Sequence, residues 1–178
     1  MARAIPQASA STKSGKWEKK KFLGSELRGK TLGIVGLGSI GREVVKRARS
    51  FEMRVVSYDP YVTSGIARDL GVELVSLDDL YAQSDYITVH VSLTPETDKL
   101  LNEAAFAKMK TGVRIVNCAR GELVDELALK AAIESGKVAG ASLDVFAKEP
   151  TDASFPLFGL DQVLATPHRS EERRVGKE

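Results

Sequence analysis

An apolar run, Thr31-Leu-Gly-Ile-Val, breaks into three glycines spaced G-x-G-x-x-G, namely Gly36, Gly38 and Gly41, and then resumes with helical periodicity. A strand that turns sharply into a helix at such a bend aims the helix's first N–H groups at one edge of a sheet, where they can hold a phosphate. Gly36 permits the tight turn, Gly38 lets the backbone approach a pyrophosphate, and Gly41 lets the helix lie close on the strand, with Ser39 and Ile40 opening that helix. Among 15 glycines in 178 residues the spacing alone is a weak signal, so its surroundings decide.

Those surroundings are specific. A helix is expected over residues 40–51, with Val44, Val45 and Ala48 on its inner face, and a second strand over 54–58, ending at Asp59-Pro60. Asp59 stands eighteen residues beyond Gly41. A carboxylate there accepts hydrogen bonds from an adenosine ribose and repels a ribose phosphate, which favours NAD over NADP. The plainer role for Asp59 is a turn before Pro60.

The alternation continues. Helices are expected over 64–70 and from the N-cap Ser76, a fourth strand over 86–91, a helix over 102–108 and a strand over 112–117. A helix then starts at 124–126 and stops at Gly136, a sixth strand covers 138–145, and a short seventh covers 163–166. Strands alternating with helices call for an α/β fold, a Rossmann-type doubly wound parallel sheet with helices on both faces. No internal repeat or low-complexity linker interrupts residues 24–168, which read as one domain. Residues 1–23 do not start like a domain. Met1 to Ile5 resembles the last turn of a helix, Pro6 opens a short helical stretch closed by Ser14-Gly15, and Trp17 and Phe22 stand as apolar anchors in a polar segment. Those anchors either pack on the domain or form a subunit contact.

Bulk properties exclude several classes. One cysteine, Cys118, rules out an intrachain disulfide framework, and a formal charge of +2 gives no electrostatic case for nucleic acid or membrane. The cluster Lys16 to Lys21 reads as a solvated surface segment. No apolar run approaches a membrane span, and a soluble, cytoplasmic protein without a metal site is expected.

Three ionisable residues come at or just past strand ends: Arg120, Glu149 and His168. Chemistry at C2 of a 2-hydroxy acid needs a proton carrier titrating near neutrality, a fixed cation for the carboxylate, and a group to orient the carrier. His168 has the imidazole, Arg120 the planar fork, and Glu149 a carboxylate to fix the tautomer and favour the imidazolium. His90, Ser92 and Thr94 line the loop after the fourth strand; for His90 a packing position beneath the cofactor is the plainer reading.

The segments Gly36-x-Gly38-x-x-Gly41, Asn117-Cys-Ala-Arg120-Gly-x-x-Val124-Asp125, Leu143-Asp144-Val-Phe-x-x-Glu149-Pro150 and Thr166-Pro167-His168 resemble, in that order, the D-isomer-specific 2-hydroxyacid dehydrogenases. The likeness covers residues 2–168. Ile5-Pro-Gln-Ala, Gly15-Lys-Trp17-Glu and Asp85-Tyr-Ile-Thr-Val-His90 resemble most the members that oxidise 3-phosphoglycerate in serine synthesis. The resemblance implies NAD as cofactor, with Gly36, Gly38, Ser39, Ile40, Gly41 and Asp59 on its adenine half. It implies Cys118, Ala119, Arg120 and Asp144 on its nicotinamide half, Arg120 on substrate, and His168 as acid/base paired with Glu149. It also implies a homodimer formed through this domain. Ser39, where many members carry Arg, and Val91-Ser92, where a proline-containing pair is more usual, depart from the pattern. A glyoxylate or hydroxypyruvate reductase shares every residue named, as does an NAD-sensing corepressor on this fold.

After His168 the family pattern stops. Arg169-Ser-Glu-Glu-Arg-Arg-Val-Gly-Lys-Glu178 is similar to the translation of a common sequencing-adapter DNA, so residues 169–178 are expected to be a reading artefact. Met1 falls inside the family's interdomain helix. Residues 1–23 are then the remnant of that helix and its linking arm, and the substrate domain is missing.

Overall fold

The computed structural model describes residues 1–169. β1 (Thr31–Val35), β2 (Arg54–Tyr58), β3 (Glu73–Leu74), β4 (Tyr86–Val89), β5 (Val113–Asn117), β6 (Val138–Leu143) and β7 (Val163–Ala165) form a seven-stranded sheet. Its order is β3-β2-β1-β4-β5-β6-β7, and every neighbouring pair is parallel. The chain steps outward from β1 through β2 to β3, then returns to the other side of β1 to lay down β4. That reversal leaves a crevice at the carboxyl ends of β1 and β4, where open α/β sheets bind ligands.

All five residues of β1 are buried, as a strand covered on both faces requires. Its side chains divide by parity. Leu32 and Ile34 pack with Val45 and Ala48 of α2 (Ser39–Ser50) and with Ala67 of α3 (Ser64–Asp69). Val35 joins the opposite layer, with Leu80 of α4 (Leu77–Gln83), Phe106 of α5 (Glu103–Lys108) and Leu129 and Ile133 of α6 (Glu126–Glu134). Helices therefore cover both faces. Gly33 sits on the α4 side, where a Cβ would stand 2.8 Å from Leu80 Cδ2.

Local chemistry sets the helix starts. Ser76 Oγ accepts from Asp79 N at 3.1 Å, Asn102 Oδ1 from Ala105 N at 3.0 Å, and Asp125 Oδ1 from Leu127 N and Ala128 N at 3.1 Å each.

Differences from expectation fall at element ends. The third strand is only two residues long, between α3 and α4. The fourth strand ends at Val89 and the sixth at Leu143; His90 N and Asp144 N donate the last cross-strand bonds, to Val35 O at 2.7 Å and Asn117 O at 2.9 Å, before the chain enters loops. At the N-terminus, Met1 to Ala4 forms a turn closed by an Ala4 N–H to Met1 O bond of 3.1 Å, and α1 (Ile5–Lys13) begins one residue before Pro6. Trp17 is 86% exposed, so packing onto its own domain is not its role in this chain, whereas Phe22 is half-buried beneath the Lys21 ammonium. Ser170 to Glu178, nearly all of the segment expected to be an artefact, lies outside the described residues. Among the described residues no helix is long and apolar enough to cross a membrane, and no cluster of three His, Cys, Asp or Glu is arranged to hold a metal.

Candidate functional site

Because all strands run the same way, the loops after β1, β2, β4, β5, β6 and β7 meet at one edge of the sheet. The glycine turn occupies its centre. Gly36 has φ +95°, and a Cβ there would stand 2.7 Å from the carbonyl oxygen of His90, so both backbone conformation and the neighbouring loop demand glycine. At Gly41 a Cβ would collide with the Gly36 carbonyl, and its absence lets α2 lie directly on the turn. Gly38 differs from both. Its backbone is extended (φ −73°, ψ −164°), which any residue adopts, and a Cβ there would meet nothing within 4 Å.

Gly38 is the N-cap of α2, where no side chain caps the helix and no acidic residue stands in the first turn. The leading N–H groups of α2, beside the exposed Ile40 and Ser39, are therefore left for an external acceptor. The space beyond Gly38 together with these uncapped donors fits the pyrophosphate of a dinucleotide. Asp59, at the end of β2, is tied into the same turn, its Oδ2 accepting from Leu37 N at 2.7 Å and its Oδ1 from Tyr61 N at 2.8 Å. Asp59 thus fills the plainer role foreseen for it, bracing its own turn, and each carboxylate oxygen retains a second lone pair.

At the end of β5, Asn117 is fully buried and works as a clamp that no sequence argument had singled out. Its Nδ2 donates to Arg120 O at 2.8 Å and its Oδ1 accepts from Ala119 N at 3.0 Å, so the loop of Cys118, Ala119 and Arg120 is held from beneath. The one available signal was an Asn closing an apolar strand ahead of a tight turn. Arg120 is exposed, with its Nη1 donating to Ala119 O at 2.6 Å. Cys118 keeps an exposed edge, but burial of the sulfur and then the charge of Asp144 push the thiol's pKa up, and it stays protonated.

Past β6, Asp144 is buried, and its Oδ1 accepts from Thr166 Oγ1 at 2.5 Å and from Arg169 N at 3.0 Å. These bonds staple the loop after β7 to the end of β6. A Cβ on Gly121 would run into the backbone of Phe146 and Ala147, so glycine here lets the loop of Arg120 touch the loop that leads to Glu149.

Glu149 and His168 meet directly, with Nδ1 to Oε2 at 2.6 Å. The other carboxylate oxygen of Glu149 accepts from Phe146 N at 2.9 Å. Burial opposes the charge on Glu149, but the His168 hydrogen bond, the Phe146 N–H and the charge of His168 outweigh it, and the carboxyl is held below its usual range. His168 adopts φ +48° just after the Thr166 staple, with its own N–H on Thr166 O at 3.0 Å, and this turn directs the ring at Glu149. The ionised Glu149 can only accept, so the contact fixes a proton on Nδ1 and sets the plane of the ring.

His90 takes no part in that pair. It is half-buried, its Nε2 bonds to Thr88 Oγ1 at 3.0 Å, and burial pushes its pKa down, so it is neutral at pH 7 and braces the crevice beneath Gly36.

Residues 1–170 match the sequence profile described as the D-isomer specific 2-hydroxyacid dehydrogenase, NAD binding domain. The D-3-phosphoglycerate dehydrogenase of Archaeoglobus fulgidus is 55% identical over 173 residues, which is 97% of this chain and 33% of that protein. The human D-3-phosphoglycerate dehydrogenase is 49% identical over all of this chain and 34% of its own length. The chain thus spans about a third of the curated relatives it matches. Among solved structures, a glyoxylate reductase from Paecilomyes thermophila superposes with a TM-score of 0.87 at 41% identity, over 94% of this chain and 51% of that one. The D-lactate dehydrogenase of Escherichia coli gives 0.86 at 38% identity, over 95% and 53%.

Proposed function

Because the chain belongs to the D-isomer-specific 2-hydroxyacid dehydrogenases, as an NAD-binding domain of that family, we propose that the protein it represents oxidises 3-phosphoglycerate to 3-phosphohydroxypyruvate, the first step of serine synthesis. The observation that carries the chemistry is the His168–Glu149 pair, 2.6 Å apart at the same sheet edge as the glycine turn. Identities of 49–55% to the named D-3-phosphoglycerate dehydrogenases support the substrate.

NAD, when bound, supplies the hydride acceptor. The chain's own residues do the rest. The uncapped start of α2 holds the pyrophosphate, and Asp59 holds the adenosine ribose and disfavours NADP. Arg120 orients the substrate carboxylate, which is mainly a positioning effect. His168 takes the C2 hydroxyl proton on Nε2 as hydride leaves C2. Glu149 keeps the Nδ1 proton in place and stabilises the imidazolium that forms. Asp144, through Thr166, holds the loop that carries His168.

The complete protein then has a second, substrate-binding domain to which residues 1–23 lead, residues 24–168 form the NAD-binding unit, and residues 169–178 are translated adapter. It acts in the cytoplasm as a homodimer, with the exposed Trp17 in the subunit contact. Without the second domain to close the cleft and exclude water, the isolated chain binds NAD but turns over slowly.

The test is kcat/KM of the complete protein for 3-phosphoglycerate, set against glyoxylate and hydroxypyruvate reduction. A preference of at least tenfold for 3-phosphoglycerate is expected. A preference for glyoxylate would assign the reductase activity, and NAD binding without turnover of any 2-hydroxy acid would favour a regulatory binding protein.

A further inference from the structure

The opposite edge of the sheet holds a site that the dehydrogenase chemistry does not use. Between the amino ends of β1, β4 and β5 lies a cavity of about 180 Å³ lined by Lys30, Asp85, Tyr86, Lys110, Thr111 and Arg114 among others. Three cations thus face one carboxylate, and both oxygens of that carboxylate are already taken. Asp85 Oδ2 accepts from Thr31 N at 2.8 Å and Oδ1 from Lys110 Nζ at 3.1 Å. Arg114 lies over the Tyr86 ring, its guanidinium carbon 5.5 Å from the centroid, and Lys30 acts on Asp85 through its charge, the same carboxylate that Lys110 already pairs.

Tyr86 adds an independent observation. It is 6% exposed, it lines this cavity, and its hydroxyl is buried with no hydrogen-bond partner. A buried hydroxyl without a partner is destabilising, and proteins rarely retain one unless something completes it. The donors gathered here are two ammonium groups, a guanidinium, a phenol and the Thr111 hydroxyl, with an excess of two positive charges. A phosphoryl dianion matches that excess and accepts from several donors at once. The cavity has room for roughly six waters' share of liquid volume, enough for a phosphoryl group with part of its hydration but too small for a dinucleotide.

We propose that this pocket, formed by Lys30, Lys110, Arg114 and the buried Tyr86 hydroxyl, binds a small phosphate-bearing anion. It is separate from the glycine turn. The rise from Tyr86 to His90 along β4 puts the two edges roughly 13 Å apart.

The experiment is a titration of the 15N-labelled 178-residue chain with inorganic phosphate, at constant ionic strength, with chloride exchanged for the ligand. Backbone amides of Tyr86, Thr111, Gly112 and Arg114 are expected to shift along one saturable curve. Tyr86→Phe, which removes a partnerless hydroxyl and so preserves the fold, and Lys30→Met, at an exposed position, each weaken half-saturation at least tenfold. Parallel titration with 3-phosphoglycerate assigns the source, since tighter binding by the ester or by free phosphate identifies which one the pocket takes. Shifts confined to residues 36–41 would overturn the proposal, because that pattern reports the glycine turn alone. So would an equal response to acetate, or half-saturation unchanged in Tyr86→Phe.

Discussion

Replacing Glu149 by Gln isolates the charge opposite His168 while leaving the shape of the side chain. The Gln carbonyl can still accept from Phe146 N, so the loop after β6 keeps its 2.9 Å tether. What changes is the 2.6 Å contact to Nδ1. Charge-assisted hydrogen bonds contribute about 1.5–3 kcal/mol. The side chains of His168 and Glu149 are 30% and 35% exposed, so solvent screening argues for the low end of that range. About 1.5 kcal/mol is close to a tenfold loss of proton affinity at His168. The amide also presents an N–H to Nδ1, which drives the neutral ring to the tautomer protonated on Nε2, the atom that must accept the substrate proton. In the complete enzyme kcat should fall roughly 10²- to 10⁴-fold, the range for losing general acid/base action. The chain has two histidines, so a histidine NMR titration reads both without ambiguity. The midpoint for His168 should move down by the equivalent of that tenfold, while His90, whose ring bonds to Thr88 instead, stays put. A His168 midpoint that shifts by less than threefold in proton affinity, or that moves together with His90, refutes the coupling.

Further outcomes separate the glycines, the acids and the buried histidine. Gly36→Ala forces a side chain into φ +95° against the His90 carbonyl and should cost about 1–3 kcal/mol in urea unfolding as well as NAD binding. Gly38→Ala has an ordinary backbone and open space, so stability should stay within about 1 kcal/mol while NAD affinity, by calorimetry, drops at least tenfold. Equal stability losses at the two positions would contradict this division. Asp59→Ser should narrow the NAD-to-NADP affinity ratio at least tenfold; an unchanged ratio would reduce Asp59 to its turn. Burial lowers the pKa of His90, so below about pH 6.5 the unfolded chain binds a proton that the folded chain refuses. Stability should therefore fall as pH drops through that value, and His90→Gln should flatten the slope. Glu149 adds a second loss at lower pH, since its depressed pKa stabilises the fold above about pH 4.3 and that contribution vanishes as the carboxyl protonates.

Much of the molecule was legible from pattern alone. Each long strand was readable because a strand buried on both faces must be a continuous apolar run, as Thr31 to Val35 is, and the starts of α4, α5 and α6 carried polar caps at Ser76, Asn102 and Asp125. β3 was not marked out, because a two-residue edge strand has too few side chains to show a period. Trp17 was left open between packing on its own domain and a subunit contact, since an apolar residue in a polar segment says nothing about which surface meets it, and its exposure removes the first. Asn117 and Thr166 were unassigned because both act through hydrogen bonds to partners whose positions depend on the tertiary fold.

The sequence by itself determined the alternation of strand and helix, the turn at Gly36, and the order in which Asp59, Arg120, Glu149 and His168 reach strand ends. These are local properties, set by backbone sterics and by side-chain periodicity. Only the tertiary structure decided what those ends meet. The reversal of strand order puts Gly36 against His90, the missing Cβ of Gly121 lets two loops touch, and the Asp144–Thr166 staple helps turn His168 onto Glu149 across nineteen residues of chain. Those contacts are long-range, so no window of neighbouring residues contains the forces that make them.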